Sequence, residues 1–430
     1  MNKPASPRSL VLAIALTTLT LPSLARAQTP LAGGRAHHAQ ATLPDGRVLV
    51  TGGERADDLV AWGAGATRAL SREATLFDPA TARWSPAGRL VHARANHAVV
   101  ALPDGRAVVL GGGASELRPD PSVEQWDPAS RAWRVVGRLA DGRSGHTATL
   151  LDDGRVLVVG GARDNLGGAV PGANVLRSVE LWDPRARRAA PAAPLPVALT
   201  RHAAVRLADG RVLVTGGTSW WGGAPAEQDP VSARAFVWSP ATDAWREVSP
   251  MRGARVGHAM TALRDGRVLV VGNRVGHDQT SCAWTDADCA RHPVTGDVAE
   301  LFDPRDGTFT ATGATRFPRL GDHQLATLAD GGVAVFGVMS TVGGDAPQVV
   351  EVWSPATGAW SDHGDVAVTA QDGFRATPLA DGRVLVTGAQ LVPNRAGLLR
   401  TGASFGVWDP AVARARPSPR TSTLARAVLE

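Results

Sequence analysis

Tyrosine is absent from this chain of 430 residues. Its absence removes the nucleophile on which sialidases depend. Lysine is nearly absent: Lys3 is the only one, and every other basic side chain is arginine. No basic run stands anywhere, so electrostatics give no footing for nucleic acid or an anionic membrane surface. Cysteine occurs only at Cys282 and Cys289. In an exported chain, two cysteines so close are expected to close a small loop as a disulfide. Apart from Leu10 to about Leu24 there is no long apolar run, so no membrane-inserted segment is expected.

That first run has the layout of a signal peptide. Lys3 and Arg8 precede it, and Ala25-Arg26-Ala27 supplies small residues at the A-x-A positions, with cleavage expected before Gln28. No cysteine stands there to carry a lipid. Residues 1–27 are therefore expected to be removed, leaving 28–430 as one exported domain in the periplasm, on the cell surface or in the medium. Removal also takes away Lys3, Arg8 and Arg26, so the formal charge falls from +5 to +2, with 42 basic against 40 acidic side chains.

What the chain does have is one phrase seven times over. Asp45-Gly46, Asp104-Gly105, Asp153-Gly154, Asp209-Gly210, Asp265-Gly266, Asp330-Gly331 and Asp381-Gly382 each run into a short apolar stretch. The intervals between the aspartates are 59, 49, 56, 56, 65 and 51 residues. Self-similarity at this period signals a repeat architecture. In the third copy, His146 to Leu151 alternates as a strand does, and Asp153-Gly154 suits the positive φ of a type I′ hairpin. Arg155 to Val159 returns, rich in β-branched residues, and Gly160-Gly161 ends it. After a variable stretch, Ser178 to Trp182 reads as a third strand, and Asp183-Pro184 opens the next turn.

Third-strand aromatics recur as Phe77, Trp126, Trp182, Trp238, Phe302, Trp353 and Trp408. Seven residues later a second aromatic follows in Trp84, Trp133, Trp245, Phe309 and Trp360, whereas copies three and seven hold Ala189 and Ala415. Four antiparallel strands per unit, repeated radially, describe an all-β, seven-bladed β-propeller whose blades bury large aromatics between them. Blades three and seven are then expected to pack most loosely.

Strand, Gly-Gly, variable loop, aromatic-Asp-Pro, then Trp: this pattern resembles the kelch repeat over about residues 35–416. Asn273, Gly337-Val338 and Gly388-Ala389 depart from the glycine doublet. The tail at Arg420 to Leu424 resembles the start of another first strand that pairs with the first or last blade. The resemblance extends to the galactose-oxidase-like central propeller, but the radical and ligand tyrosines of copper-radical oxidases have no counterpart here. No cofactor is implied. Kelch propellers serve as binding scaffolds and as enzymes alike.

Strand direction sorts the loops. The Asp-Gly and Asp-Pro turns share one face, and the long second-to-third-strand loops and blade-to-blade connections share the other. Recognition residues concentrate on variable loops held by a rigid scaffold. On that face stand Arg35, Arg94, Arg143 and Arg255, each three residues before a repeated histidine. In kelch domains that recognise proteins, Arg at the matching Arg-Ser-Gly position, here Arg143-Ser144-Gly145, lines the ligand face, so these arginines are candidate clamps for carboxylates or sulfates. Nine of the thirteen tryptophans occupy the two repeat positions. The others, Trp62, Trp220, Trp221 and Trp284, lie in the variable loops of blades one, four and five and are candidates for stacking on sugars or anchoring a protein. The histidines His38, His97, His146, His202, His258 and His323, with Phe374 in copy seven, read as hydrogen-bonded packing elements rather than a metal ring. The blade-five insertion holds His277, Asp278, Asp286, Asp288 and His292, at no recognised metal-ligand spacing. These features point to a binding module for an extracellular glycan or protein. The competing classes are a sugar epimerase, mutarotase or lyase at the propeller mouth, and a purely structural surface component.

Overall fold

The computed structural model describes residues 34–55, 69–113, 119–163, 174–219, 231–272, 274–275, 298–316, 323–337, 349–365, 372–393 and 399–413. Within them stand seven antiparallel blades. Blade three shows the plan. Thr147–Leu150 pairs with Val156–Val159, that strand with Val179–Asp183, and that one with Arg188–Ala192. The first strands, such as Ala39–Thr42, Ala98–Ala101 and Ala203–Arg206, neighbour one another in a closed ring around the axis. The fourth strands lie outermost.

Second strands carry unbroken apolar runs because both of their faces are covered. Val48–Thr51, Ala107–Leu110, Val156–Val159, Val212–Thr215 and Val268–Val271 are buried at every position. The core is not one mass but seven seams. Leu49, Val109 and Trp126 join blades one and two, whereas Val158 and Trp182 lie between two and three. Val48, Val50 and Phe77 meet Leu379 and Leu385, so blade seven packs directly on blade one and closes the circle. Seven blades and their aromatics stand as the sequence implies. In blade three, Ala189 is half-buried at the seam, and the Trp182 Nε1 has no hydrogen-bond partner among the described residues.

The glycine doublets have a steric cause. At Gly52 φ is +58°, and a Cβ would meet the Arg94 carbonyl at 2.4 Å and the His97 ring at 2.7 Å, both from the next blade. The Asp-Gly turn glycine Gly46 also has positive φ, +83°, but a Cβ there meets nothing within 4 Å. Gly46→Ala is therefore expected to cost only the left-handed backbone strain, about 1–2 kcal/mol. Gly52→Ala is expected to cost clearly more, since it adds a collision with main chain. Urea unfolding of the two variants checks the order; equal costs would refute the steric account.

Around the channel mouth the main chain forms a collar. Among the described residues, the one before the first-strand histidine adopts positive φ at His37 (53°), Asn96 (54°), Gly145 (62°), Arg201 (53°) and Gly257 (64°). Gly373, beside Phe374, shares it at 59°. Their amides link blade to blade: His37 N–H donates to the Gly373 carbonyl at 3.0 Å, Asn96 to His37 at 3.0 Å, Arg201 to Gly145 at 2.9 Å and Gly257 to Arg201 at 2.7 Å.

Candidate functional site

The variable-loop face surrounds this collar, and the repeat arginines lie just beneath it. Each connection dips before its first strand, carrying Arg35, Arg94 or Arg143 under the glycine doublet of its own blade and Arg255 under Gly272. All four side chains are 0% exposed. The Nη1 of Arg94, Arg143 and Arg255 donates to the carbonyl of Gly111, Gly160 or Gly272 at 2.8, 2.9 and 2.8 Å. Their Nη2 meets Glu124, Glu180 or Glu300 at 2.7, 2.5 and 3.0 Å. Arg35 does the same with Glu73 at 3.2 Å. This corrects the expectation of a ligand clamp: the guanidinium groups are spent inside the blade and present nothing to a partner.

The carboxylates are equally committed. Glu124 accepts from Val91 N–H at 2.6 Å and His92 N–H at 2.9 Å, Glu180 from Ala140 N–H at 2.8 Å and Glu300 from Arg252 N–H at 2.7 Å. Each ion pair thus fixes the connection that emerges on the variable face. Blade four lacks both partners at once: Leu199 stands at the arginine position and Phe236 at the glutamate position, both within the apolar seam. The glutamate two residues before the third-strand aromatic (Glu124, Glu180, Glu300) was the legible signal. It accompanies the arginine in blades two, three and five, whereas blade one has Arg35 with Thr75 there and blade six has Glu351 with Leu320 at the arginine position.

The histidines staple neighbouring blades. Nε2 of His38, His97, His202 and His258 pairs with the hydroxyl of Thr387, Thr51, Thr147 or Thr215 at 2.7, 2.9, 3.0 and 2.7 Å. His323 Nε2 approaches the Val271 carbonyl at 2.8 Å. Burial pushes His38, His97 and His258 well down, His202 to about 4 and, with the Arg143 charge adding, His146 to about 3. They are neutral structural groups at ordinary pH.

Exposed chemistry on this face comes instead from residues between the buried anchors. His92 Nδ1 donates to Asp120 Oδ2 at 2.7 Å and lies 3.0 Å from the Ser122 hydroxyl, with the imidazole 44% exposed. Burial pushes the Asp120 carboxyl up, yet the Ser122 N–H and the Arg94 charge hold it below its usual range. On the next connection Arg163 pairs with Asp141 at 3.1 Å. A carboxylate-oriented imidazole and an exposed ion pair can accept and donate hydrogen bonds to a partner's polar groups. His92 is missed by repeat reasoning because it falls outside the repeated histidine column. Trp62, Trp220, Trp221, Trp284, Cys282, Cys289 and the blade-five insertion from 276 to 297 lie outside the described residues, as does Arg420 to Leu424. Among the described residues no group of three or more histidine, cysteine or acidic side chains is arranged to hold a metal.

The opposite face is uniform. Asp45, Asp104, Asp153, Asp209, Asp265 and Asp381 each cap their turn and pair with the arginine two residues on.

No protein-family model matches the chain. Over 141 residues, a third of its length, the chain is 30% identical to Kelch repeat and BTB domain-containing protein 12 of Danio rerio. Over 101 residues, 23% of the chain, it is 38% identical to Kelch-like protein 34 of Homo sapiens. The matches span only 21% and 15% of those relatives' lengths.

Proposed function

The chain is a kelch-repeat β-propeller, and from that premise we propose that it is an exported binding module whose variable-loop face recognises a partner protein. The observation that carries this reading is the contrast between the two faces. One repeats the same capped, charge-paired turn six times; the other presents a different loop from every blade on a common frame. Tryptophans in the loops of blades one, four and five supply anchors, and the His92–Asp120 and Asp141–Arg163 pairs supply a polar margin. Recognition then rests on loop side chains, because the repeat arginines are already consumed. Export follows from the layout of residues 1–27 and is part of the same proposal.

A screen of extracellular proteins and glycans with the purified mature chain tests it. Trp220→Ala is expected to weaken binding to the selected partner about 30-fold or more, the effect of losing an interface anchor. Arg106→Ala, on the capped-turn face, is expected to leave affinity unchanged. Selection of glycans alone would overturn the protein reading, and loss of binding on Arg106→Ala would overturn the choice of face.

A further inference from the structure

The outer wall formed by the fourth strands and their turns is a third surface, and its charge is one-sided. In blades two and three, residues 127–138 and 183–192 hold six arginines and two aspartates. The corresponding residues of blades four to six, 239–248, 303–314 and 354–364, hold two arginines and five acids. All six arginines, Arg131, Arg134, Arg138, Arg185, Arg187 and Arg188, are exposed. Neither group is long enough to read as a basic run, but the strands Trp133–Arg138 and Arg188–Ala192 are neighbours in the fold. The Arg187 main chain lies against Gly137, beside Arg138, where a Cβ would meet the Arg187 carbonyl at 2.8 Å. These cations are also uncommitted. Arg143 is spent inside its blade and Arg106 and Arg155 on turn aspartates, whereas among the described residues none of the six forms an ion pair. Arg131 alone has a side-chain hydrogen bond, to the Pro86 carbonyl at 2.9 Å. The two aspartates serve their own turns, Asp127 accepting from Ala129 N–H and Asp183 from Arg185 N–H, both at 2.8 Å. Arg131 and Arg187 moreover hold φ of +55° and +54° at the turn position that Gly307 and Gly358 fill in blades five and six. An exposed cation kept on strained backbone is something the fold itself does not require.

We propose that the outer wall of blades two and three binds an anionic polysaccharide, its arginines clasping sulfate or carboxylate groups along the glycan chain. A guanidinium fork takes such a group through two hydrogen bonds at once. Arg134 pairs with Gln125 and Arg138 with Ser122, three residues apart along the ladder, which is about 10 Å at about 3.3 Å per residue. The cations are thus spread along a line rather than gathered in a pocket, and a line suits a repeating anion. A protein partner needs an apolar centre to anchor on, and this wall offers only Val135, 46% exposed, among the described residues. A lipid surface needs inserted apolar or aromatic side chains, which are missing for the same reason. A second copy would have to supply free acids, but Glu247 holds Arg234 at 2.7 Å, Asp303 holds Arg305 at 2.5 Å and Asp243 accepts from Ala193 N–H at 3.0 Å. The choice of polysaccharide over a nucleic-acid duplex rests on the export proposed above. The protein-binding face plays no part in it.

Immobilised dextran sulfate and polygalacturonate, with neutral dextran beside them, test this on the purified mature chain. Binding to one or both polyanions is expected, falling as salt rises, with none to neutral dextran. Arg134→Gln with Arg187→Gly is expected to weaken it about tenfold or more and to flatten the slope against log salt by about two, one for each cation removed. Glycine at position 187 copies blades five and six, so the turn is kept. Arg185→Gln with Arg188→Gln is a second, independent pair with the same expected loss. Arg305→Ala, which removes an exposed arginine from blade five, and Trp220→Ala, on the variable face, are expected to leave binding unchanged. Retention equal to that on neutral dextran, or undiminished binding by both double variants, overturns the proposal. Loss on Trp220→Ala in place of the wall variants would move the glycan to the variable face and overturn it too. So would tighter binding to a DNA duplex or to phosphatidylglycerol vesicles, or a salt-sensitive self-association in sedimentation that the double variants abolish. Trp220→Ala reports on the partner-protein face alone, so failure of that reading and failure of this one are seen separately.

Discussion

Arg143→Leu is expected to destabilise the propeller by about 3–5 kcal/mol, since it strips the partner from a buried carboxylate. Glu180 is almost wholly inside, receives Arg143 Nη2 at 2.5 Å and, among the described residues, accepts otherwise from Ala140 N–H. The deletion therefore leaves a charge whose desolvation is no longer offset. The same argument sets the rescue. Blade four already runs the apolar solution, with Leu199 and Phe236 in the two places. Arg143→Leu combined with Glu180→Phe is expected to recover most of the loss, because a well-packed apolar pair of similar volume often matches or exceeds a buried ion pair. Urea unfolding of the two single variants and the double variant measures the coupling. A double variant as unstable as the sum of its parts would refute the equivalence of the two solutions, and an Arg143→Leu variant of unchanged stability would refute the cost of the orphaned carboxylate.

Acid is expected to unfold the protein well before its carboxylates titrate. His38, His97, His146, His202 and His258 are all held below the ordinary histidine value of 6.5, burial being the first cause in each. The unfolded chain takes up these protons near pH 6.5 and the folded chain does not. Stability from the neutral imidazoles is thus fully present above 6.5 and drains away as pH falls toward the folded values, about 4 for His202 and about 3 for His146. Each group contributes about 1.4 kcal/mol per pH unit in that window. Five together approach about 7 kcal/mol per pH unit, and an ordinary domain has only about 5–15 kcal/mol to lose. Denaturant titrations between pH 7.5 and 5 should show this slope, and His202→Gln should flatten it by about one histidine's share. A flat profile above pH 5 would show that the imidazoles are not buried as neutral groups.

The sequence made the architecture legible through chemistry that is local. Asp-Gly turns, β-branched runs and aromatic-Asp-Pro punctuation each act within a few residues, and seven copies average away the exceptions. The roles of the arginines were not legible that way. Their position in a connection suggests solvent, but what decides their environment is Glu124, Glu180 or Glu300, some 30 to 45 residues further on. The His–Thr staples are hidden for the same reason, since His97 finds Thr51 in the neighbouring blade. His92 gives no repeat signal at all, because its use depends on Asp120, an aspartate that the other blades do not share.

The collar of linked amides at the channel mouth bears on how such a protein changes over time. Its links run through peptide groups, so they do not depend on which side chain a neighbouring loop carries. The loops of the blades so linked are therefore like posts set in a shared footing. A substitution or insertion in one alters what that post displays while the spacing of the others stays fixed. New specificity can then accumulate one loop at a time, without each step having to rebuild the frame.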